Sequence, residues 1–285
     1  MGKAKIGISL YTYGADLLRN RMTVEEAIEH AASLGVKGIE LVPKQHIRNF
    51  PYPRIYDLQR LRDYIESFGM EVSCYSTYLD QSVRSDRTAT IDEMIDSAHE
   101  QIAQATLLGA KVYRPIIMGF AEVVSSGYDP KKVEEYYQKS IKIIRAVLSH
   151  IKRSNIKLGI EIHAPASPDF MLNLIRRVND ESVGLVPDFS VWQTRQVQAA
   201  HVVGGYPPET LKKVLPYAVH IHAKAHSFNE KGEEENTPYD QLIPIIKESG
   251  FDGYISAEFE GWWDGTDFDS RKIAKIHVEL IRRYL

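Results

Sequence analysis

The chain is expected to adopt an α/β fold, a single (β/α)8 barrel over residues 1–285, and three observations predict it. One phrase recurs along the chain: an amphipathic helical stretch, a glycine or asparagine stop, then a short β-branched strand. It is found in ASLGVKGIELV (32–42), TLLGAKVYRPI (106–116), KRSNIKLGIEI (152–162) and KESGFDGYISAE (247–258). Strands that alternate with helical patterns of this length point to βαβ units and a parallel sheet. The size also fits, since 285 residues at 44% hydrophobic and 26% charged suit one barrel, and no Pro/Ser-rich linker interrupts them.

Eight strands are predicted, at 5–11, 36–42, 71–77, 111–117, 157–163, 183–188, 218–224 and 254–259. Helix starts are marked by Thr23 with Glu26 and by Thr90 with Glu93. In each pair a hydroxyl and a carboxylate reciprocally satisfy free N–H groups, the capping box. Six intervening segments read well as helices. In 195–216, Gly204, Gly205, Pro207 and Pro208 leave room only for a short helix after Pro208. The long polar loops 43–56 and 225–238 follow strands 2 and 7. They therefore belong to the C-terminal face, where barrel active sites lie.

Composition excludes several classes. A single cysteine, Cys74, allows no internal disulfide and fits a reducing compartment. The opening MGKAKIGISLYTYG has no apolar leader core, and no apolar run approaches the roughly 18 residues of a membrane span. A formal charge of −3 gives no reason to expect a nucleic-acid surface. A cytoplasmic protein with neither membrane nor nucleic-acid partner is expected.

Side chains alternate along a strand, so each strand divides by parity. In LGIEIHAP, Leu158, Ile160 and Ile162 oppose Gly159, Glu161 and His163. In VHIHAKAH, Val219, Ile221 and Ala223 oppose His220, His222 and Lys224. In GYISAEFEG, Ile255, Ala257 and Phe259 oppose Tyr254, Ser256, Glu258 and Glu260, and in strand 2 Gly38 and Glu40 oppose Ile39 and Leu41. The apolar parity packs on helices and the other fills the barrel, where an unpaired carboxylate or imidazole is costly. Four such residues end successive strands: Glu161, Asp188, His222 and Glu258, spaced 27, 34 and 36 residues apart.

Three carboxylates and one imidazole suit a single Mn²⁺, Mg²⁺, Co²⁺ or Zn²⁺ ion, with carboxylate richness favouring the harder ions. Such an ion would polarise a substrate carbonyl or hydroxyl. The competing reading is a layer of interior ion pairs between Glu161 or Glu258 and Lys224 or Arg114. His163 shares the parity of Glu161 and is a candidate general acid/base; Lys224 shares that of His222 and could stabilise an oxyanion. Each also has a plainer role, as a hydrogen-bond partner or an ion pair. Glu40 is a candidate substrate contact or a packed carboxylate bonded to Arg114 or Tyr11. Trp192, Trp262 and Trp263 follow strands 6 and 8, where an indole could stack on a sugar ring or pack within a loop, and Arg195 is a further substrate-binding candidate.

With these residues in place the whole chain resembles the xylose isomerase-like TIM-barrel superfamily of sugar isomerases, epimerases and endonuclease IV-type enzymes. The resemblance is strongest from LGIEIHAP to AEFEGWW. It implies one divalent ion, Mn²⁺ foremost, held by Glu161, Asp188, His222 and Glu258, with the two glutamates moving a proton on the carbon beside a carbonyl. The extra histidines of endonuclease IV-type enzymes have no counterparts here: strand 3 ends in YSTYLD, strand 4 in RPIIMG, and HSFNEKGEEEN follows strand 7. Ketose 3-epimerases carry a substrate-binding histidine where this chain has Val191. Locally, GISLYTY, ELVPKQHIRNFPYP, GLVPDFSVWQTR, HIHAKAHSF and TPYDQLIPIIKESGFDGYISAEFEG resemble the α subunits of C-glycoside deglycosidases. Those pair with a small β subunit and cleave the sugar–aglycone carbon bond of 3-keto C-glycosides by elimination. The resemblance thus implies a metal-dependent carbon–carbon lyase acting on a keto-glycoside, with His163 as acid/base. A sugar or sugar-phosphate isomerase or epimerase is the alternative, and a catalytically silent partner barrel the reading from another class. Members are often homo-oligomers, and no stripe in this chain marks an interface.

Overall fold

The computed structural model describes residues 3–79, 89–117, 119–194, 204–263 and 265–285. The β-branched runs become eight strands: β1 (Lys5–Ser9), β2 (Gly38–Leu41), β3 (Glu71–Tyr78), β4 (Val112–Ile116), β5 (Lys157–Ile162), β6 (Val183–Pro187), β7 (Ile221–Ala225) and β8 (Tyr254–Phe259). All pair in parallel, in the order β6-β5-β4-β3-β2-β1-β8-β7. The two ends of that order meet through isolated parallel bridges, Leu185 with Ala218 and Asp188 with His222, which close the barrel. The result is a single (β/α)8 barrel.

Each strand is followed by a helix: α1 (Val24–Ser33), α2 (Ile55–Ser67), α3 (Ile91–Leu107), α4 (Pro130–Ser154), α5 (Pro168–Val178), α6 (Leu211–Val214), α7 (Tyr239–Ser249) and α8 (Ser270–Tyr284). The local signals explain their ends. Both expected capping boxes are present, at Thr23–Glu26 and Thr90–Glu93. Asn155, Asn179 and Gly250 take left-handed conformations that stop α4, α5 and α7. Among the described residues of the Gly/Pro-rich sixth crossover, the α-helical part is the one-turn α6, flanked by 3₁₀ turns at Pro208–Thr210 and Leu215–Tyr217. Among the described residues no helix is long and apolar enough to cross a membrane.

Most strand limits differ from expectation by one to three residues, and two of the larger differences have a nearby reason. β1 ends at Ser9 because the Thr12 hydroxyl donates to the Ala257 carbonyl (3.1 Å) and accepts from Phe259 N–H (3.0 Å). Those bonds draw Leu10–Tyr13 into a 3₁₀ turn against β8. β7 begins at Ile221 because the Leu215–Tyr217 turn, with Pro216 inside it, delays the extended backbone.

The apolar parity faces the helices: Ile8, Ile39, Leu158, Leu185, Ile221 and Ile255 are buried in one core with Ile28, Ile102 and Ile151. The other parity fills the lumen. Near the N-terminal end Tyr254 plugs it, donating to Glu71 (2.6 Å) and to the Lys37 carbonyl (3.2 Å). Gly38 makes room for that ring, since a Cβ there would stand 2.5 Å from it. Above the plug the lumen turns polar, and the candidate site begins.

Candidate metal centre

Strand ends β5, β6, β7 and β8 bring Glu161, Asp188, His222 and Glu258 together. One ligand atom from each lies within 4.8 Å of all the others, and all four residues are buried. His222 is the hub. Its Nδ1 lies 2.6 Å from Glu161 Oε1, 3.3 Å from Glu258 Oε2 and 3.7 Å from Asp188 Oδ2. Its Nε2 turns the other way, 3.1 Å from Glu40 Oε1.

A deeper polar layer supports the cluster. Glu40, fully buried, accepts from Ser76 Oγ (2.6 Å) and pairs with His220 Nε2 (3.2 Å). Arg114 on β4 points inward: NH1 lies 3.5 Å from Glu161 Oε2, and NH2 lies 4.0 Å from Glu40 Oε1. Its register opposite Ser76 settles the parity that KVYRPIIMG left ambiguous. A carboxylate bonded to the outer nitrogen of a ligand histidine fixes the ring and makes it a better donor. Glu40 holds that position. The expected direct substrate contact is not available to it, because it lies on the far side of His222 from the cluster.

On the solvent side stand Lys224, Glu260 and His163. Lys224 Nζ is 3.4 Å from Asp188 Oδ2, 3.2 Å from Glu258 Oε2 and 2.9 Å from Glu260 Oε2. Tyr11 donates to Glu260 Oε1 at 3.4 Å. The half-buried His163 has Nδ1 at 2.6 Å from the Ala164 carbonyl. A carbonyl can only accept, so Nδ1 carries the hydrogen and Nε2 of the neutral ring is free to act as a base.

The electrostatics show what this arrangement demands. Burial alone would raise every carboxyl pKa, yet Arg114 and His222 hold Glu161 down to about 2. Lys224 and His222 likewise hold Asp188 far below the usual range despite its burial. Glu258 goes the other way: burial raises it, Glu40 and Asp188 add to the effect, and Lys224 and His222 only partly offset it. Burial works against a charged His222, but Glu40 and Glu258 keep its cationic form and raise its pKa well above 6.5. Five carboxylates (Glu40, Glu161, Asp188, Glu258 and Glu260) therefore face three cations, Arg114, Lys224 and the protonated His222. Asp188 Oδ2, Glu258 Oε2 and Glu260 Oε2 are buried without a hydrogen bond, the first two within the four-residue set. Excess negative charge, oxygen-rich donors and two oxygens of the set free of hydrogen bonds fit one divalent cation. The expected ion pairs, Arg114 with Glu161 and Lys224 with Glu258, are present as well, made by carboxylates of the same set.

The predicted aromatic contacts fare differently. Trp192 is fully buried in the main core and its Nε1–H donates to Thr210 Oγ1 (2.9 Å), so no face of it is open to a sugar. Trp262, 5% exposed, lies behind Tyr11 with ring centroids 4.8 Å apart, and its Nε1–H donates to the carbonyls of Tyr11 and Phe259. It backs the wall of the mouth. Trp263 is the exposed indole, at 55%. Arg195 lies outside the described residues. Glu260 was not singled out, although it continues the parity of Glu258. His226 also proves to be buried, with Gln193 Nε2 at 2.7 Å from its Nδ1. The loop that carries it folds around Glu234, which accepts from the backbone N–H groups of His226, Asn236 and Thr237.

Comparison with known proteins identifies the family and the fold. The 3'-dehydrocarminate deglycosidase alpha subunit of a Microbacterium species is 22% identical over 98% of this chain and 94% of its own length. The C-glycoside deglycosidase alpha subunit of Arthrobacter globiformis is 23% identical over 98% and 92%. Among solved structures, the D-psicose 3-epimerase of Clostridium cellulolyticum H10 superposes with a TM-score of 0.70 at 12% identity, covering 99% of each chain. Residues 28–284 match the family described as xylose isomerase-like TIM barrel. The strand-end cluster is therefore the candidate centre of an enzyme that belongs to the xylose isomerase-like TIM-barrel family.

Proposed function

We propose that this enzyme binds one divalent ion, Mn²⁺ first among the candidates, through Glu161, Asp188, His222 and Glu258. With it the enzyme removes a proton from the carbon beside a carbonyl of a sugar or 3-keto-glycoside. The observation that carries this reading is the meeting of a four-ligand set with Lys224 and His163 on one side of it. When bound, the ion would supply Lewis acidity at the substrate carbonyl.

The residues around it supply the rest. Glu161, held ionised by Arg114, has the unprotonated form that a proton acceptor needs, while the same pairing weakens it as a base. Glu258, whose burial favours its protonated form, is suited to return one. Lys224 offers a fixed ammonium to oxygen on which negative charge develops. His163, with Nε2 as its free nitrogen, can pass a proton to or from a leaving group at the mouth. Burial of every ligand keeps water out, which strengthens each of these charge interactions.

For the product, elimination of an aglycone from a 3-keto-glycoside is preferred. The two relatives named are deglycosidase alpha subunits, and one name specifies a 3'-dehydro (keto) substrate. The same names support a partner subunit. Epimerisation of a free ketose is the second reading, favoured by the paired glutamates and by the fold shared with an epimerase; Val191, buried in the core, stands against it. The test is solvent exchange. In D2O, Mn²⁺-loaded protein should place deuterium at C2 of a 3-keto-glucoside, and Glu161→Gln should abolish the label. Absence of exchange on 3-keto-glucosides and free ketoses alike, with or without a co-purified small subunit, would sink the proposal.

A further inference from the structure

Lys224 and a divalent ion would contest the same two oxygens. Asp188 Oδ2 and Glu258 Oε2, which face Nδ1 of His222 within the ligand set, are also the oxygens that Lys224 Nζ approaches at 3.4 and 3.2 Å. A buried ammonium held there neutralises those carboxylates and opposes the ion by charge as well as by occupancy. A third anion stands on the solvent side. Glu260 Oε2 is nearer to Nζ, at 2.9 Å, than either ligand oxygen. Glu260 is itself steered by Tyr11, whose hydroxyl donates to Oε1 at 3.4 Å, and by His226, whose Nε2 is 3.8 Å from Oε2. It lies outside the four-ligand set.

We propose that Glu260 is a positioning residue for metal binding: it draws the Lys224 ammonium toward the rim and so frees Asp188 and Glu258 for the divalent ion. This rests on the metal reading above and adds to it a residue that works only through Lys224. Without Glu260, Lys224 has Asp188 and Glu258 as its remaining partners, and the ion must displace it. Without Lys224, Glu260 has nothing to restrain.

The experiment is a double-mutant cycle read by calorimetric titration of Mn²⁺ into metal-stripped full-length protein, with circular dichroism confirming each fold. Glu260→Gln should weaken binding about five-fold or more, within the usual range of coupling between sites. Lys224→Met should tighten it, and the double variant should bind within about two-fold of Lys224→Met alone. Lys224→Gln serves as the second background if Lys224→Met fails to fold. An equal weakening by Glu260→Gln with and without Lys224 would mean that Glu260 merely attracts the ion, and would overturn the proposal while leaving the metal site intact. Unchanged affinity in Glu260→Gln would overturn it too. Wild-type protein that takes up no Mn²⁺ would remove the metal reading itself, and this inference with it.

Discussion

Nε2 of His222 lies 3.1 Å from Oε1 of Glu40, while Nδ1 of the same ring lies 2.6 Å from Oε1 of Glu161. One imidazole thus links the ligand layer to the layer beneath it. Orientation of the ring depends on Glu40, which is in turn fixed by Ser76 and His220. Replacing Glu40 by Gln removes the charge that makes His222 a strong donor but keeps the side chain's shape. Mn²⁺ affinity is expected to fall about 10- to 100-fold, the usual effect of losing such a partner. Calorimetric titration checks it, and an unchanged dissociation constant would remove Glu40 from the metal centre.

The barrel closes between β6 and β7, and Asp188 and His222 form one of the two bridges there. A cation held by both residues would clasp that closure. Amide hydrogen exchange in Val183–Pro187 and Ile221–Ala225 should therefore slow on adding Mn²⁺, while exchange in β2 and β3 should change little. Asp188→Asn should abolish the difference. Equal slowing in every strand would indicate global stabilisation instead.

Arg114 is 2% exposed and faces Glu161 and Glu40. Arg114→Met would leave two buried carboxylates without their cation. A stability loss of about 3–5 kcal/mol is expected in urea unfolding of the metal-stripped protein, the cost of breaking a buried ion pair from one side. Added Mn²⁺ should recover part of it. A loss below about 1 kcal/mol would mean that His222 alone suffices to hold those charges.

His277 is fully buried, its Nε2 2.8 Å from the Tyr239 hydroxyl, and burial lowers its pKa from 6.5 to about 3. Between those values the unfolded chain binds a proton that the folded chain does not, so stability falls as pH drops from 6.5 toward 3. His46, lowered to about 3 by the same cause, acts in the same direction. Each contributes about 1.4 kcal/mol per pH unit within that window. His277→Gln keeps a partner for Tyr239 and cannot titrate, so its stability curve between pH 6 and 4 should be shallower than wild type by about that slope. Parallel curves would show that His277 gains its proton without unfolding.

Much of the site could be read from the sequence because its signals are local. Side chains on a strand alternate with period two, so LGIEIHAP, VHIHAKAH and GYISAEFEG each declare which residues face the lumen. Glu161, His222, Lys224 and Glu258 follow from that alone, as do the strand-and-helix alternation and both threonine capping boxes. The same rule marks Glu40 and Glu260 as inward, but says nothing of depth. Parity is silent for loops as well, so Trp192, adjacent in sequence to the site, turned out to be core.

The sequence by itself determined the (β/α)8 class, the inward set and the residue types of the four strand-end candidates for a metal, since each depends on residue type and on a period of two or 3.6. Only the tertiary structure decided the rest. Height in the lumen depends on how parallel strands are staggered around the barrel, a relation between segments up to 180 residues apart, as Glu40 and His220 are. That stagger puts Glu40 beneath His222 and Glu260 above Lys224, and sets Asp188 against His222 where the barrel closes. Which oxygen meets which cation follows from those heights.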